Sequence, residues 1–251
     1  MGSHDVMTCT ATQIDHFFVD ILTFRRSECH NAINREVVDA MHGILPSLTM
    51  RARSGATRAV IIAGEGSSFC SGGDLKLLSG CSPIEVELFM RDATIAFRAL
   101  GALPVPVIAK VQGACIGGGF ELALHCDFIV CQSNTVFGFP EVNHGWTTTA
   151  GSVARMVEAV GSSRAKALLL GLRTMNAQDA YACGLAHVLA SNANIDEEID
   201  GICRKFFEMP RKGVAAMKSL LHDHSDPIAS ASWHRELAVF RELLNRPKHA
   251  G

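Results

Sequence analysis

Three short runs of almost unbroken apolar residues constrain this chain more than any other feature: RAVIIAG (58–64), VPVIAKVQG (105–113) and DFIVCQS (127–133). A strand with one wet face alternates apolar and polar residues. A run without alternation is buried on both faces, as in a parallel sheet covered by helices. The intervening segments supply those helices. INREVVDAMHGILPSLTMRA (33–52) places its apolar residues at helical spacing, with a perturbation expected near Pro46. SPIEVELFMRDATIAFRALGAL (82–103) opens on Ser82 before Pro83, a helix-start signal. HFFVDILTF (16–24) predicts a further strand and AHVLA (186–190) a short one. Three helices are predicted in the tail, over 196–207, 213–224 and 227–245. Strands alternating with helices predict α/β layering. A soft boundary at 191–194 divides a core, residues 1–192, from a helical region, residues 193–251. No internal repeat is visible.

Composition then excludes several classes of function. With 251 residues, 48% of them hydrophobic, the chain can bury a core that needs no staples. Its 23 Lys and Arg against 25 Asp and Glu give no basic excess to bind nucleic acid or an anionic membrane. Lys110 and Gln112 interrupt the longest apolar stretch, so no membrane span is expected. The start, MGSHDVMTCT, lacks the pattern of a signal peptide. Nine scattered cysteines without a CxxC predict free thiols in a reducing cytoplasm or organelle matrix, with no disulfide framework and no metal site.

Chemistry concentrates in two glycine runs. GEGSSFCSGGDLKLL (64–78) and GACIGGGFELALHC (113–126) each follow a buried strand and lead into a helix. Glycines there let backbone amides approach a ligand, and two converging amides make an oxyanion hole. The plain alternative is a pair of tight turns. Neither run is a P-loop or a complete dinucleotide fingerprint. Two glutamates accompany them: Glu121 just after the glycines 117–119, and Glu141 in FGFPEVNHGW (137–146). Paired carboxylates beside a carbonyl hole suit general acid–base work at an enolate. Taken singly, Glu121 reads equally as a helix-start carboxylate and Glu141 as a surface turn residue.

Together these segments resemble the crotonase family of enoyl-CoA hydratases and isomerases. The resemblance is carried by HNAIN (30–34), FCSGGDLK (69–76), GACIGGGFELALHCD (113–127), FGFPEV (137–142) and GLRTMNAQDAYACGLAHVL (171–189), in order and spacing. It implies an α/β, crotonase-like spiral of ββα units, with a C-terminal helical region that assembles homotrimers or dimers of trimers. It implies an acyl-CoA substrate, coenzyme A being part of that substrate and no separate cofactor being needed. The thioester oxygen would be held by the amides of Gly73 and Gly118. Glu121 would act on water at C3 and Glu141 on the proton at C2, giving syn hydration of a trans-2-enoyl-CoA. Isomerisation by Glu141 alone, other enolate chemistry on the same fold, and a non-catalytic binding protein are the rivals. Further substrate-binding candidates are Ser71 and Asp74 beside the first hole glycine, and the cations Arg25, Arg26, Lys76 and Lys218 for the coenzyme A phosphates.

The chain departs from the family pattern after Glu141, where it reads NHGWTTTAGSVARM (143–156). Trp146 there either shortens the acyl pocket or packs against a neighbouring helix. His144 is read as a structural donor before a catalytic group. Trp233 and the stripe Leu237, Phe240 and Leu244 read as core or subunit contact.

Overall fold

The computed structural model describes residues 6–191 and 193–244. In chain order the strands are β1 (Met7–Ile14), β2 (Phe17–Phe24), β3 (Ala59–Gly64), β4 (Val107–Val111), β5 (Ala114–Ile116), β6 (Phe128–Gln132), β7 (Val136–Gly138), β8 (Met175–Asn176) and β9 (Val188–Ala190). The helices are α1 (Arg35–Ser54), α2 (Leu75–Leu78), α3 (Pro83–Gly101), α4 (Gly118–Ala123), α5 (Ser152–Leu169), α6 (Ala177–Ala182), α7 (Ile195–Glu208) and α8 (Arg211–Leu244). Gly161, at φ 77°, breaks α5.

The three apolar runs become adjacent parallel strands in a sheet ordered β1-β2-β3-β4-β6-β9, with Ile61 opposite Ile108 and Ala109 opposite Ile129. Their lack of alternation has a direct cause. Val60, Ile62, Val107 and Ala109 join a core shared with α1 and α3, while Ala59, Ile61, Ile108 and Val130 join a second one formed with Ile195, Ile199, Cys203 and Phe207 of α7. Both faces are therefore dry. The first helix of the C-terminal region thus covers one face of the sheet.

A second, three-stranded sheet runs β5-β7-β8. It makes the spiral explicit: β4–β5–α4 and β6–β7–α5 are successive ββα turns. In an earlier turn β3 is followed by a single bridging residue, Cys70, paired with Cys115. The repeat is invisible in the sequence because its second strand has only three residues, or one.

Helix starts follow local chemistry. Asn34 accepts the Val37 N–H ahead of α1, and Ser82 with Glu85 forms a capping box ahead of α3 with Pro83 in the first turn. Two expectations are corrected, and one strand was not predicted. Pro46 sits inside an unbroken α1, held on either side by buried Met41, Leu45 and Leu48. The two helices predicted over 213–224 and 227–245 are one helix, α8. The strand β1 has a mostly exposed, polar sequence, MTCTATQI, and pairs antiparallel with β2 at the sheet edge.

Candidate active site

The two glycine runs meet. Ile33 N–H donates to Gly72 O at 2.7 Å and Asp74 N–H to Ile33 O at 2.9 Å. This parallel bridge turns the N–H of Gly73 to the opposite side. Gly72 adopts φ +97°, and a Cβ there would lie 2.9 Å from Ile116 O, so the backbones of the two runs touch. Gly117 adopts φ +52° after β5, and Gly118 opens α4. A Cβ on Gly118 would lie 3.7 Å from the Gly73 nitrogen. Among the described residues neither the Gly73 N–H nor the Gly118 N–H has a hydrogen-bond partner. Two amides are thus presented side by side, the requirement for holding a developing oxyanion.

The same turn fixes the carboxylates. A Cβ on Gly117 would lie 2.7 Å from Glu141 Oε1, so the side-chain-free turn is what admits Glu141. Glu141 begins a 3-10 turn, Glu141–His144, directly after β7 and Pro140. Its Oε2 is buried without a partner among the described residues. Burial and the neighbouring charge of Glu121 push its carboxyl up from the ordinary 4.5 to about 8.

Glu121, buried in α4, is held differently. Thr149 N–H donates to its Oε1 at 2.6 Å, Ser152 Oγ to the same oxygen at 3.2 Å, and Thr149 Oγ1 to Oε2 at 3.3 Å. Burial raises its carboxyl while these three donors oppose the rise by favouring the ionised form. When the pair shares one proton, donors around Glu121 and none on the Glu141 Oε2 place that proton on Glu141.

Both glutamates and both glycines, Gly73 and Gly118, line one cleft, with an apolar wall that includes Leu78, Phe89, Phe97 and Phe240. Ser71 and the altered turn, His144 and residues 146–149, also line it. Trp146 packs edge-on against Phe240 of α8 at 6.0 Å, and it also lines the cleft. His144 is exposed at the rim, 6.3 Å from the Trp146 ring. The Thr148 hydroxyl is buried and, like Glu141 Oε2, without a partner among the described residues.

The other candidates lie outside this cleft lining. Arg25 pairs with Glu65 at the surface. Arg26 turns inward to Asp74 Oδ2 at 3.0 Å and to the Ala32 carbonyl, tying the hole loop to residues 30–34. Asp74 also caps α2 through the Leu77 N–H, and Lys76 is exposed on that helix. Lys218 is engaged elsewhere, by Asp127 and by Val105 O at 2.8 Å. Sequence reasoning missed Thr149 and Ser152 as partners of Glu121, and missed Glu236 of α8, which binds the same turn. Glu236 had a signal: it is an acid on the face of the Trp233–Phe240 stripe, four residues before Phe240. Among the described residues no cluster of three or more His, Cys, Asp or Glu is placed to hold a metal, and no helix is long and apolar enough to cross a membrane. The nine cysteines are free thiols.

Comparison with known proteins addresses the family and the fold. The family model described as enoyl-CoA hydratase/isomerase matches residues 18–250. A crotonyl-CoA hydratase from Syntrophomonas wolfei is 31% identical over 204 residues, 81% of this chain and 77% of the relative. A probable mitochondrial enoyl-CoA hydratase 2 from Arabidopsis thaliana is 29% identical over 86% of this chain and 71% of its own length. Among solved structures, an enoyl-CoA hydratase from Mycobacterium avium subsp. paratuberculosis superposes with TM-score 0.82 at 25% identity, covering 96% of this chain and 91% of that one. An enoyl-CoA hydratase/isomerase from Pseudoalteromonas atlantica shares the fold at TM-score 0.83 and 24% identity, over 96% of this chain and 92% of its own. With fold and sequence relatives in agreement, the chain belongs to the enoyl-CoA hydratase/isomerase family.

Proposed function

We propose that this protein hydrates trans-2-enoyl-CoA thioesters to 3-hydroxyacyl-CoA. The observation that carries the reading is the unequal pair of glutamates opposite two unpartnered amides. Gly73 N–H and Gly118 N–H receive the thioester oxygen as it gains charge. Ionised Glu121 takes a proton from water, whose oxygen bonds to C3. The electrons of the double bond pass to the thioester as an enolate, and protonated Glu141 delivers its proton to C2. Both groups work from one cleft, so addition is syn. Each glutamate starts in the protonation state its environment favours. Double-bond isomerisation needs one shuttling carboxylate and gives no role to the three donors around Glu121.

The apolar wall suits an acyl chain, closed at one side by Trp146 and Phe240. Arg25 and Lys76, exposed near the hole loop in sequence, are our candidates for the coenzyme A phosphates. Residues 193–251 are assigned to trimer assembly, and a reducing compartment is the setting that suits nine free thiols. The test is the loss of conjugated-thioester absorbance when enzyme meets crotonyl-CoA. Catalysed loss, with 3-hydroxybutyryl-CoA as product, is the expected result. An unchanged spectrum with a CoA thioester that nevertheless raises the melting temperature would overturn hydration and point to other enolate chemistry.

A further inference from the structure

A third buried carboxylate stands behind the pair. Glu236 of α8 is 6% exposed. It accepts Gly151 N–H at 2.9 Å on Oε2, and Val153 N–H at 3.0 Å and Ser232 Oγ at 2.7 Å on Oε1. Gly151 is the cap residue of α5 and has no side chain to satisfy the first-turn donors, so a residue 83 positions away from Val153 supplies the acceptor. The hydrogen bonds interleave. Within residues 149–153, Thr149 and Ser152 donate to Glu121, while Gly151 and Val153 donate to Glu236.

The segment itself is unusual. Ala150 adopts φ +60° and Gly151 φ +74°, two consecutive left-handed residues, the first carrying a side chain. Such a conformation persists only where its surroundings over-determine it. Buried His125 donates Nε2–H to the Ala150 carbonyl at 3.1 Å, and burial holds that imidazole neutral. Further along α8, Phe240 closes the cleft against Trp146, and Arg241 pairs with Glu87 of α3. The helix is therefore docked on its own chain's site along more than two turns.

We propose that Glu236 is a positioning residue for Glu121: it fixes the 149–153 turn from behind, so that docking of the C-terminal helix completes the donor set around the carboxylate that acts on water. The inference rests on the reading of Glu121 given above, but its first test does not need turnover. In Glu236→Gln the amide group sets donors against the donors it replaces a carboxylate for. Residue-resolved amide exchange of the unliganded protein should show Thr149, Gly151 and Val153 all exchanging about tenfold faster or more, buried amide donors losing a well-placed acceptor. Faster exchange at Gly151 and Val153 with Thr149 unchanged would make Glu236 a cap of α5 alone and overturn the proposal.

Turnover gives the second test. Glu236→Gln should lower kcat roughly tenfold with KM within about twofold, and should cause no further loss when added to Glu121→Gln. An independent, additive loss in the double variant would contradict action through Glu121. Should Glu236→Gln fail to fold, Ser232→Ala loosens the same carboxylate and should show the same pattern at about two- to threefold. A wild type that hydrates no enoyl-CoA would remove the proposed reaction, while the exchange at Thr149 would still decide the role of Glu236.

Discussion

Two pairs of buried or half-buried ionisable groups follow opposite rules in this molecule. Lys218 of α8 meets Asp127, and each has further partners: Lys218 donates to Val105 O at 2.8 Å, and Asp127 accepts Val107 N–H at 2.7 Å. Opposite charges face each other, and neither side chain leaves a fully buried polar atom without a partner among the described residues. Glu121 and Glu141 are like charges in one cleft, and the Glu141 Oε2 is left without a partner among the described residues. The first pair joins a C-terminal helix to the sheet. The second places two groups of the same kind in different protonation states, at a cost to stability. What separates structure from chemistry here is not burial but whether the buried charge is satisfied.

The comparison breaks first, and most visibly, in turnover. Glu121→Gln and Glu141→Gln should each cut enoyl-CoA hydration by about 100-fold to 10,000-fold with crotonyl-CoA as substrate. Lys218→Ala should leave kcat of the folded enzyme unchanged. Next comes stability. Lys218→Ala strands Asp127 and should cost about 3 kcal/mol or more in denaturant unfolding. Replacing both partners by apolar residues, Lys218→Met with Asp127→Leu, should recover much of that loss. A Lys218→Ala variant as stable as wild type would show that this pair is not the anchor described.

The smallest effect sharpens the other half. Glu141 has a folded value of about 8 against an ordinary 4.5, so the folded state binds the extra proton across that window and stability falls as pH rises through it. Glu141→Gln removes this loss. The variant should match wild type near pH 4.5 and exceed it near pH 8 by roughly 1–3 kcal/mol, discounted for coupling to Glu121. Thermal melts at the two pH values check it.

How much of this was legible in the sequence depended on whether the signal was local. RAVIIAG, VPVIAKVQG and DFIVCQS declared a sheet covered on both faces because nearly every residue of a doubly buried strand is apolar. The glycines 72–73 and 117–119 and the two glutamates were readable because turns and buried acids leave marks in a few consecutive positions. The polar edge strand β1 and the strands β5, β7 and β8, only two or three residues long, carry too little pattern to detect. Tertiary assignments were the least accessible. Nothing near Thr149 or Ser152 says that their hydroxyls reach Glu121, and nothing near Lys218 says that Asp127 awaits it. Arg26 likewise looked like any basic residue, but the fold brings Asp74 to it across 48 positions.

The central claim is that Glu141 holds the shared proton while Glu121 carries the charge. It is tested most directly by a carboxyl carbon NMR titration of Glu141 in the unliganded protein. The midpoint should lie near 8 and should move down in Glu121→Gln, where the opposing charge is gone. A midpoint at the ordinary carboxylate value of 4.5, unchanged by that substitution, would contradict the assignment of acid and base on which the proposed hydration rests.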